Sequence, residues 1–380
     1  MKKKKIIRVV TSDVSYGLLT GQLKFLNQYY DVVGVSSPGE KAIKAGQSEG
    51  IRVVDIEMQR QISIIKDCVA LYKLYKFFRK ENPYIVHSIT PKAGLLSMIA
   101  SYLAKVPNRV HTFTGLIFPT KEGLFQKLLI KTDQLLCKCA THIYPEGQGV
   151  KNDLKKYKIT KKPLKIIANG NVNGIDIDYF NSALYSEKEK EELKRELSIS
   201  SLDLVYVFVG RLVRDKGINE LISAFKRIND EYENVKLILV GSYEKELDPV
   251  LPETEEEINN NPNIIPVGWQ TDVRPYFAIS NVLTFPSYRE GFPNVVLQAG
   301  AMGLPSIVTD INGCNEIISE GKNGMIIPVK NTDFLYGAME KFIKQPELKE
   351  TLAMNARKIV CDNYERQFVW DSILEEYKQL

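Results

Sequence analysis

Short apolar runs alternate with helical patterns from one end of the chain to the other. Ile6–Val10, Asp31–Ser36, Ile51–Ile56, Ile85–Ile89, Arg109–Phe113 and His142–Pro145 are rich in β-branched and aromatic residues and read as strands. Between them, Ile64–Lys80 and Pro91–Ala104 repeat their apolar positions at helical spacing. A second series takes in Leu164–Asn169, Leu204–Val209, Val235–Val240, Ile264–Val267, Val282–Phe285 and Ser306–Thr309. Strands alternating with helices predict parallel sheets covered on both faces, in which a strand is apolar on both sides. Two such series predict two doubly wound domains, with the segment NGNVNG at 169–174 marking the switch between them. A helical tail is expected from Thr332 to Leu380, and no solenoid-length repeat interrupts the pattern.

Composition agrees with that picture. The 380 residues suffice for two domains, and 44% hydrophobic with 26% charged residues is a globular balance. The five cysteines (Cys68, Cys137, Cys139, Cys314, Cys361) are odd in number and lack metal-binding spacing, so they read as mostly buried thiols in a reducing compartment. No stretch has the length of a transmembrane helix. The start MKKKKIIRVV lacks a signal-peptide apolar region and reads as a solvated end leading into a strand. A cytoplasmic location is the expectation.

Charge adds a partner. Residues 1–170 hold 29 Lys and Arg against 12 Asp and Glu, whereas the remainder holds 22 against 34. The first half is therefore expected to face something anionic. No basic motif interleaved with aromatics and no nucleic-acid module is present, so nucleic acid is not expected. A membrane surface fits better. Residues 121–138, KEGLFQKLLIKTDQLLCK, bring Leu124, Phe125, Leu128 and Leu135 near one helical face, with Lys127, Lys131 and Lys138 beside it. Such a helix either rests on anionic lipid or covers a sheet.

Two segments carry candidate chemistry. Residues 287–303, SYREGFPNVVLQAGAMG, follow a strand with a turn that opens into a helix of small residues. Pro293 suits the first helical turn, and the N–H groups there form an anion seat. Glu290 stands just before it, placed to touch a neutral, hydroxyl-rich group. An anion joined to a polyol describes a sugar nucleotide; an ordinary turn with a surface Glu is the plainer alternative. Residues 205–217, VYVFVGRLVRDKG, form a buried-type strand ending at Gly210 and Arg211, with Lys216 opening the next helix. Open α/β sheets bind ligands at such strand ends. Arg211 can clamp a phosphate through two N–H bonds, and Lys216 adds a point charge.

GRLVRDKG followed by PSYREGFPNVVLQAGAMGLPSIVTD resembles the nucleotide-sugar-binding half of the GT-B, family 4 retaining glycosyltransferases. NGNVNGIDIDYF at 169–180 and VGWQTDVRPYFAISNVLTFPS at 267–287 are subsidiary matches. HTFTGLIFPT at 111–120 resembles the branch that builds bacterial surface glycans on polyprenyl-diphosphate carriers. The resemblance spans nearly the whole chain. It implies an α/β GT-B fold with two Rossmann-like domains facing a cleft: 1–165 for the acceptor, 166–362 for the nucleotide sugar, and 363–380 as a helix crossing back. It also implies a retaining, metal-independent transferase without a cofactor. The enzyme would move sugar from a nucleotide donor, a UDP-sugar, to a lipid-linked saccharide at the inner face of the membrane, in surface polysaccharide synthesis.

The resemblance distributes roles. Glu290 matches the first Glu of the family's Glu-x7-Glu motif, which contacts donor-sugar hydroxyls. The second position is Gln298, an amide that still bonds a diol but as a neutral group. Arg211, Lys216 and the N–H groups at Phe292–Val295 would neutralise the leaving diphosphate. Gly17, Gly210, Gly291, Phe292, Pro293, Asn294 and Val295 complete the expected donor set. Gly17 belongs to the loop Ser15–Gly17, which matches one that approaches the donor phosphates. Tyr16, Thr114 and Gly115 are expected on the acceptor side. His111 is either a catalytic side chain beside Glu290, Arg211 and Lys216 or a structural one. If Thr114 occupies its slot instead, a substrate phosphate oxygen becomes the proton acceptor in a same-face transfer. His87 and His142 read as core. The pair Asp176 and Asp178 could be read as a metal site, but the family carries a similar motif without metal. A nucleotide-sugar epimerase and a non-catalytic sugar-nucleotide-binding partner are the competing readings, the latter kept open by Gln298 and Thr114.

Overall fold

A computed structural model describes residues 3–59, 61, 63–246 and 248–380; Met1 and Lys2, the head of the lysine run, lie outside them. The chain divides into two compact units, one reaching to Gly174 and joined by Arg366–Leu380, the other Ile175–Glu365. The resemblance implies boundaries after 165 and 362. The first falls later because the asparagine-rich segment bonds into the first unit. Asn171 N donates to Glu146 O (3.0 Å), Gln22 Nε2 to Val172 O (2.8 Å), and Trp370 Nε1 to Asn173 Oδ1 (2.8 Å).

The first unit holds six parallel strands: β1 (Lys5–Val9), β2 (Asp31–Ser36), β3 (Arg52–Asp55), β4 (Ile85–Ser88), β5 (Asn108–Phe113) and β6 (His142–Pro145). Their order is β3-β2-β1-β4-β5-β6. Ile6, Ile7 and Val9 of the central strand are fully buried, as a strand covered on both faces requires. The helix Arg366–Gln379 packs Val369, Trp370, Ile373, Leu374 and Tyr377 into a core shared with Leu23, Phe25 and Leu26. Tyr377 also accepts from the buried Arg8 (Nη1 to Oη, 2.7 Å) and meets His87 Nδ1.

The second unit repeats the architecture with β7 (Leu204–Val209), β8 (Val235–Val240), β9 (Ile264–Gly268), β10 (Val282–Phe285), β11 (Ser306–Thr309) and β12 (Gly324–Ile327). Their order, β12-β11-β10-β7-β8-β9, has its topological switch between β7 and β10. Leu164–Asn169 is not a strand of this sheet; only Leu164 forms a bridge, to Ile143 of β6. The sixth strand is instead the edge strand β12, too short to show a pattern of its own. The expected tail is three helices, Thr332–Lys344, Pro346–Tyr364 and Arg366–Gln379, the last of which belongs to the first unit.

Candidate active site

The two segments singled out by their chemistry meet at the switch point of the second unit. β7 and β10 are parallel neighbours, with Val282 opposite Tyr206 and Leu283 opposite Val207, so their C-terminal loops emerge side by side. Tyr288 N donates to Asp215 O (2.9 Å), and Arg289 Nε pairs with Asp215 Oδ2 (2.8 Å), tying the loop after β7 to the loop after β10. Gly217 has φ +71°, and a Cβ there would come within 2.1 Å of Pro286 O, so only glycine lets the two loops close.

Within this junction, Lys216 Nζ forms an ion pair with Glu290 Oε1, their side chains 17% and 16% exposed. Ser287 Oγ bonds the same oxygen at 2.9 Å. Lys216 also lies over the Phe285 ring, 5.4 Å from its centroid. Arg211 is half exposed and pairs with Glu244 rather than standing free. Exposed pairs contribute about 0–1 kcal/mol, so Glu244 yields Arg211 to another anion at little cost. The Lys216–Glu290 pair is drier and holds its two charges at fixed positions.

The helix Asn294–Ala301 begins one residue later than expected: Pro293 caps it with extended backbone (φ −74°, ψ 108°) and is not part of its first turn. Gly291, Asn294, Val295 and Gln298 are half-buried, with Asn294 and Gln298 on one face a turn apart. Phe292 is different. Its ring is buried against Tyr364, with centroids 5.5 Å apart, so only its backbone remains for a donor. Gly210 sits at the end of β7 as the sequence places it.

Three residues that the sequence reading missed complete the junction. Thr309, the last residue of β11, donates its buried hydroxyl to Ser287 O. Gly313 presses on the turn from the other side: a Cβ there would lie 2.5 Å from Gly291 O and 2.7 Å from Phe292 Cα. Cys314 is fully buried, and burial, followed by the nearby Glu290, raises its thiol pKa well above the ordinary value. The signal for Thr309 lies in the topology, since a parallel strand beside β10 must end beside its loop.

The first unit revises the acceptor-side expectations. His111 lies inside β5, 1% exposed, with Ser88 Oγ at 2.9 Å from Nδ1 and the Phe113 ring edge-on at 4.5 Å. Burial lowers its pKa to about 3. It is a neutral core residue that no substrate can touch, so the catalytic expectation for His111 is withdrawn. Tyr16 is also buried. Its hydroxyl lies where a Cβ on Gly34 would be, at 2.5 Å, so Tyr16 is not an acceptor contact. Thr114, just past the end of β5, is half-buried and donates to Ile89 O (2.8 Å), and Gly115 follows with φ +115°. Gly17 is exposed with open space around its Cα. Among the described residues, His, Cys, Asp and Glu form no group of three able to hold a metal ion.

Residues 189–359 match the family Glycosyl transferases group 1, and residues 9–145 match Glycosyl transferase 4-like. The capsular polysaccharide biosynthesis glycosyltransferase CapM of Staphylococcus aureus is 33% identical over 379 residues, 99% of this chain and 97% of that protein. The chain belongs to the group 1 glycosyltransferases. A second relative of this glycosyltransferase is the UDP-Gal:alpha-D-GlcNAc-diphosphoundecaprenol alpha-1,3-galactosyltransferase of Escherichia coli. It is 28% identical over 309 residues, 80% of this chain and 78% of that one. The crystal structure of Anabaena Alr3699/HepE in complex with UDP superimposes with a TM-score of 0.83 at 19% identity, covering 99% of this chain and 100% of that one. The glycosyltransferase therefore has the GT-B fold, its two six-stranded sheets being the two Rossmann-like halves.

The first unit of the glycosyltransferase carries a further surface feature. The helix Gly123–Cys139 buries Leu136, Cys137 and Cys139 but leaves Leu124 84% and Leu128 50% exposed. Phe125 and Leu135 are exposed on the same helix. Burial pushes the Asp133 carboxyl up to about 7, so it opposes the helix lysines only partly at neutral pH. Lys162 caps the C-terminal end, its Nζ bonding Cys137 O (2.8 Å), Lys138 O (3.1 Å) and Ala140 O. Among the described residues, no helix is long and apolar enough to cross a membrane.

Proposed function

We propose that this glycosyltransferase moves a sugar from a UDP-sugar to a lipid-linked saccharide in surface polysaccharide synthesis, with retention of configuration and without a catalytic metal. The carrying observation is the Lys216–Glu290 pair, held at the sheet's switch point beside the start of a helix. It sets a cation for the diphosphate next to a carboxylate for the sugar. Negative charge grows on the leaving diphosphate in the transition state, where Lys216, the helix N–H groups and Arg211, once released from Glu244, would meet it. Glu290 accepts from a donor-sugar hydroxyl. With His111 sealed in the core, the proton of the acceptor hydroxyl passes to an oxygen of the departing phosphate. That is a same-face route through an oxocarbenium-like state. Relatives support the choice of substrates: one is named for capsule synthesis, one for a UDP-Gal donor and a diphosphoundecaprenol acceptor.

The test is turnover with a panel of UDP- and GDP-sugars, EDTA present, and membrane extract carrying polyprenyl-linked acceptors. Lipid-linked product from a UDP-sugar, with the anomeric configuration of the donor by NMR, is the expected result. An inverted product ends the retaining assignment, and activity abolished by EDTA ends the metal-free one. Tight nucleotide binding without product, with acceptors known to be active, points instead to a non-catalytic partner of another transferase.

In this function the first unit rests against the inner face of the membrane through Leu124 and Leu128, with Lys127, Lys131 and Lys138 toward anionic headgroups. The double variant Leu124→Ser/Leu128→Ser is expected to lose about tenfold in flotation with vesicles containing about 30 mol% phosphatidylglycerol. Turnover on a water-soluble acceptor analogue is expected to stay unchanged. Equal binding by both proteins, or by both to neutral vesicles, removes the membrane assignment.

A further inference from the structure

Glu290 does not set its own orientation. We propose that two buried hydroxyls, that of Ser287 bonded to Glu290 Oε1 and that of Thr309 bonded to the Ser287 carbonyl, act as a positional relay that dedicates one oxygen of Glu290 to the protein and leaves the other for the donor sugar. Both are positioning residues for the reaction. The inference rests on the reading of Glu290 as the donor-sugar contact.

The relay follows from counting protons. Ser287 is fully buried and has one hydroxyl proton. Three oxygens lie in reach of its Oγ: Glu290 Oε1 at 2.9 Å, Arg289 O at 3.2 Å and Asp215 O at 3.4 Å. The carboxylate is both the nearest and the charged acceptor, so the proton goes there. Lys216 donates to that same Oε1. Among the described residues no donor reaches Oε2, and it is not sealed from solvent. The two oxygens are therefore inequivalent before any ligand arrives.

Thr309 holds the serine in place. Its side chain is 1% exposed, and its hydroxyl donates to the Ser287 carbonyl. Thr309 is anchored in turn by its position in β11, paired with Ile327 of β12. Four residues further on, Gly313 braces Gly291 and Phe292 on the far side of the same turn. The end of β11 and its loop thus grip both ends of the segment that carries Glu290. A valine at 309 preserves shape but leaves the buried Ser287 carbonyl without its donor, which frees the turn to shift. A small displacement of an orienting group costs rate far more than ground-state affinity.

The experiment compares Thr309→Val, Thr309→Ser, Ser287→Ala and Glu290→Ala. It measures kcat, donor KM, and affinity for UDP or GDP, whichever the wild-type protein binds. Thr309→Val and Ser287→Ala are expected to lower kcat about 10- to 100-fold while nucleotide affinity stays within about twofold. Thr309→Ser, which keeps the hydroxyl, is expected to stay within about threefold of wild type in kcat. Loss of nucleotide affinity in step with kcat, or equal damage from Ser and Val at 309, makes the role merely structural and overturns the proposal. Intact kcat in Thr309→Val and Ser287→Ala while Glu290→Ala is inactive overturns the relay alone. A fully active Glu290→Ala overturns the donor-contact reading and the relay with it.

Discussion

Glu290→Ala is expected to lower kcat by about 10²–10³-fold, a loss typical of removing one preorganised polar contact from a reacting centre. The carboxylate does two things that alanine cannot. In the proposed reaction it presents an accepting oxygen to the sugar, and it holds Lys216 through Oε1. Because the contact strengthens as the sugar develops positive charge, the deficit belongs in kcat more than in donor KM. The variant also leaves a half-dry lysine without its partner. A fully buried pair broken in this way costs about 3–5 kcal/mol, and the residual exposure of 17% and 16% moves the expected loss toward the lower end or below. Thermal unfolding measured beside kinetics separates the two effects. Glu290→Gln, which keeps the shape without the charge, is expected to fall between alanine and wild type. Wild-type kcat in the alanine variant would remove Glu290 from the chemistry.

Lys216→Met is the second large effect, expected to lower kcat/KM by about 10²–10³-fold. Here the loss falls on charge that grows on the diphosphate, so kcat and nucleotide affinity decline together. Arginine is not an adequate substitute. Its planar fork is larger than an ammonium and would crowd Ser287 and the Phe285 ring, over which Lys216 is stacked. Arg211→Ala is expected to cost less, since Arg211 is exposed and already shared with Glu244. Steady-state kinetics on the three variants check that ranking; Arg211→Ala more damaging than Lys216→Met would move the main phosphate contact to the exposed cation.

Much of this enzyme was legible along the chain. Strands apolar on both sides, separated by helices, leave little choice but two parallel sheets, because only burial on both faces rewards such a pattern. Gly210, Arg211, Lys216 and Glu290 could be named because strand ends and helix starts carry local, recognisable residue types. The segment 169–174 also announced a change of domain, although its asparagines bond to the first unit and move the boundary to Gly174. Leu164–Asn169 misled because a short apolar run looks the same whether it joins a sheet or merely crosses its end. The edge strand Gly324–Ile327 was missed for the matching reason: four residues are too few to establish a period.

What the tertiary structure decided is a matter of solvent and neighbours. The sequence HTFTG leaves open whether His111 or Thr114 serves the site; three-dimensional packing buries His111 among Ser88, Gly94 and Phe113 and leaves Thr114 at the strand end. Tyr16 is buried in the same way, its hydroxyl turned against Gly34. Thr309 and Gly313 stand some twenty residues beyond Glu290 in the chain. They reach it because parallel strands bring their C-terminal loops to one edge. Residue type and local spacing determined which groups could do the chemistry. Only long-range packing determined which were dry, which were paired, and which oxygen of Glu290 is taken by Lys216 and Ser287, because desolvation and partner choice depend on chain segments that local sequence does not contain.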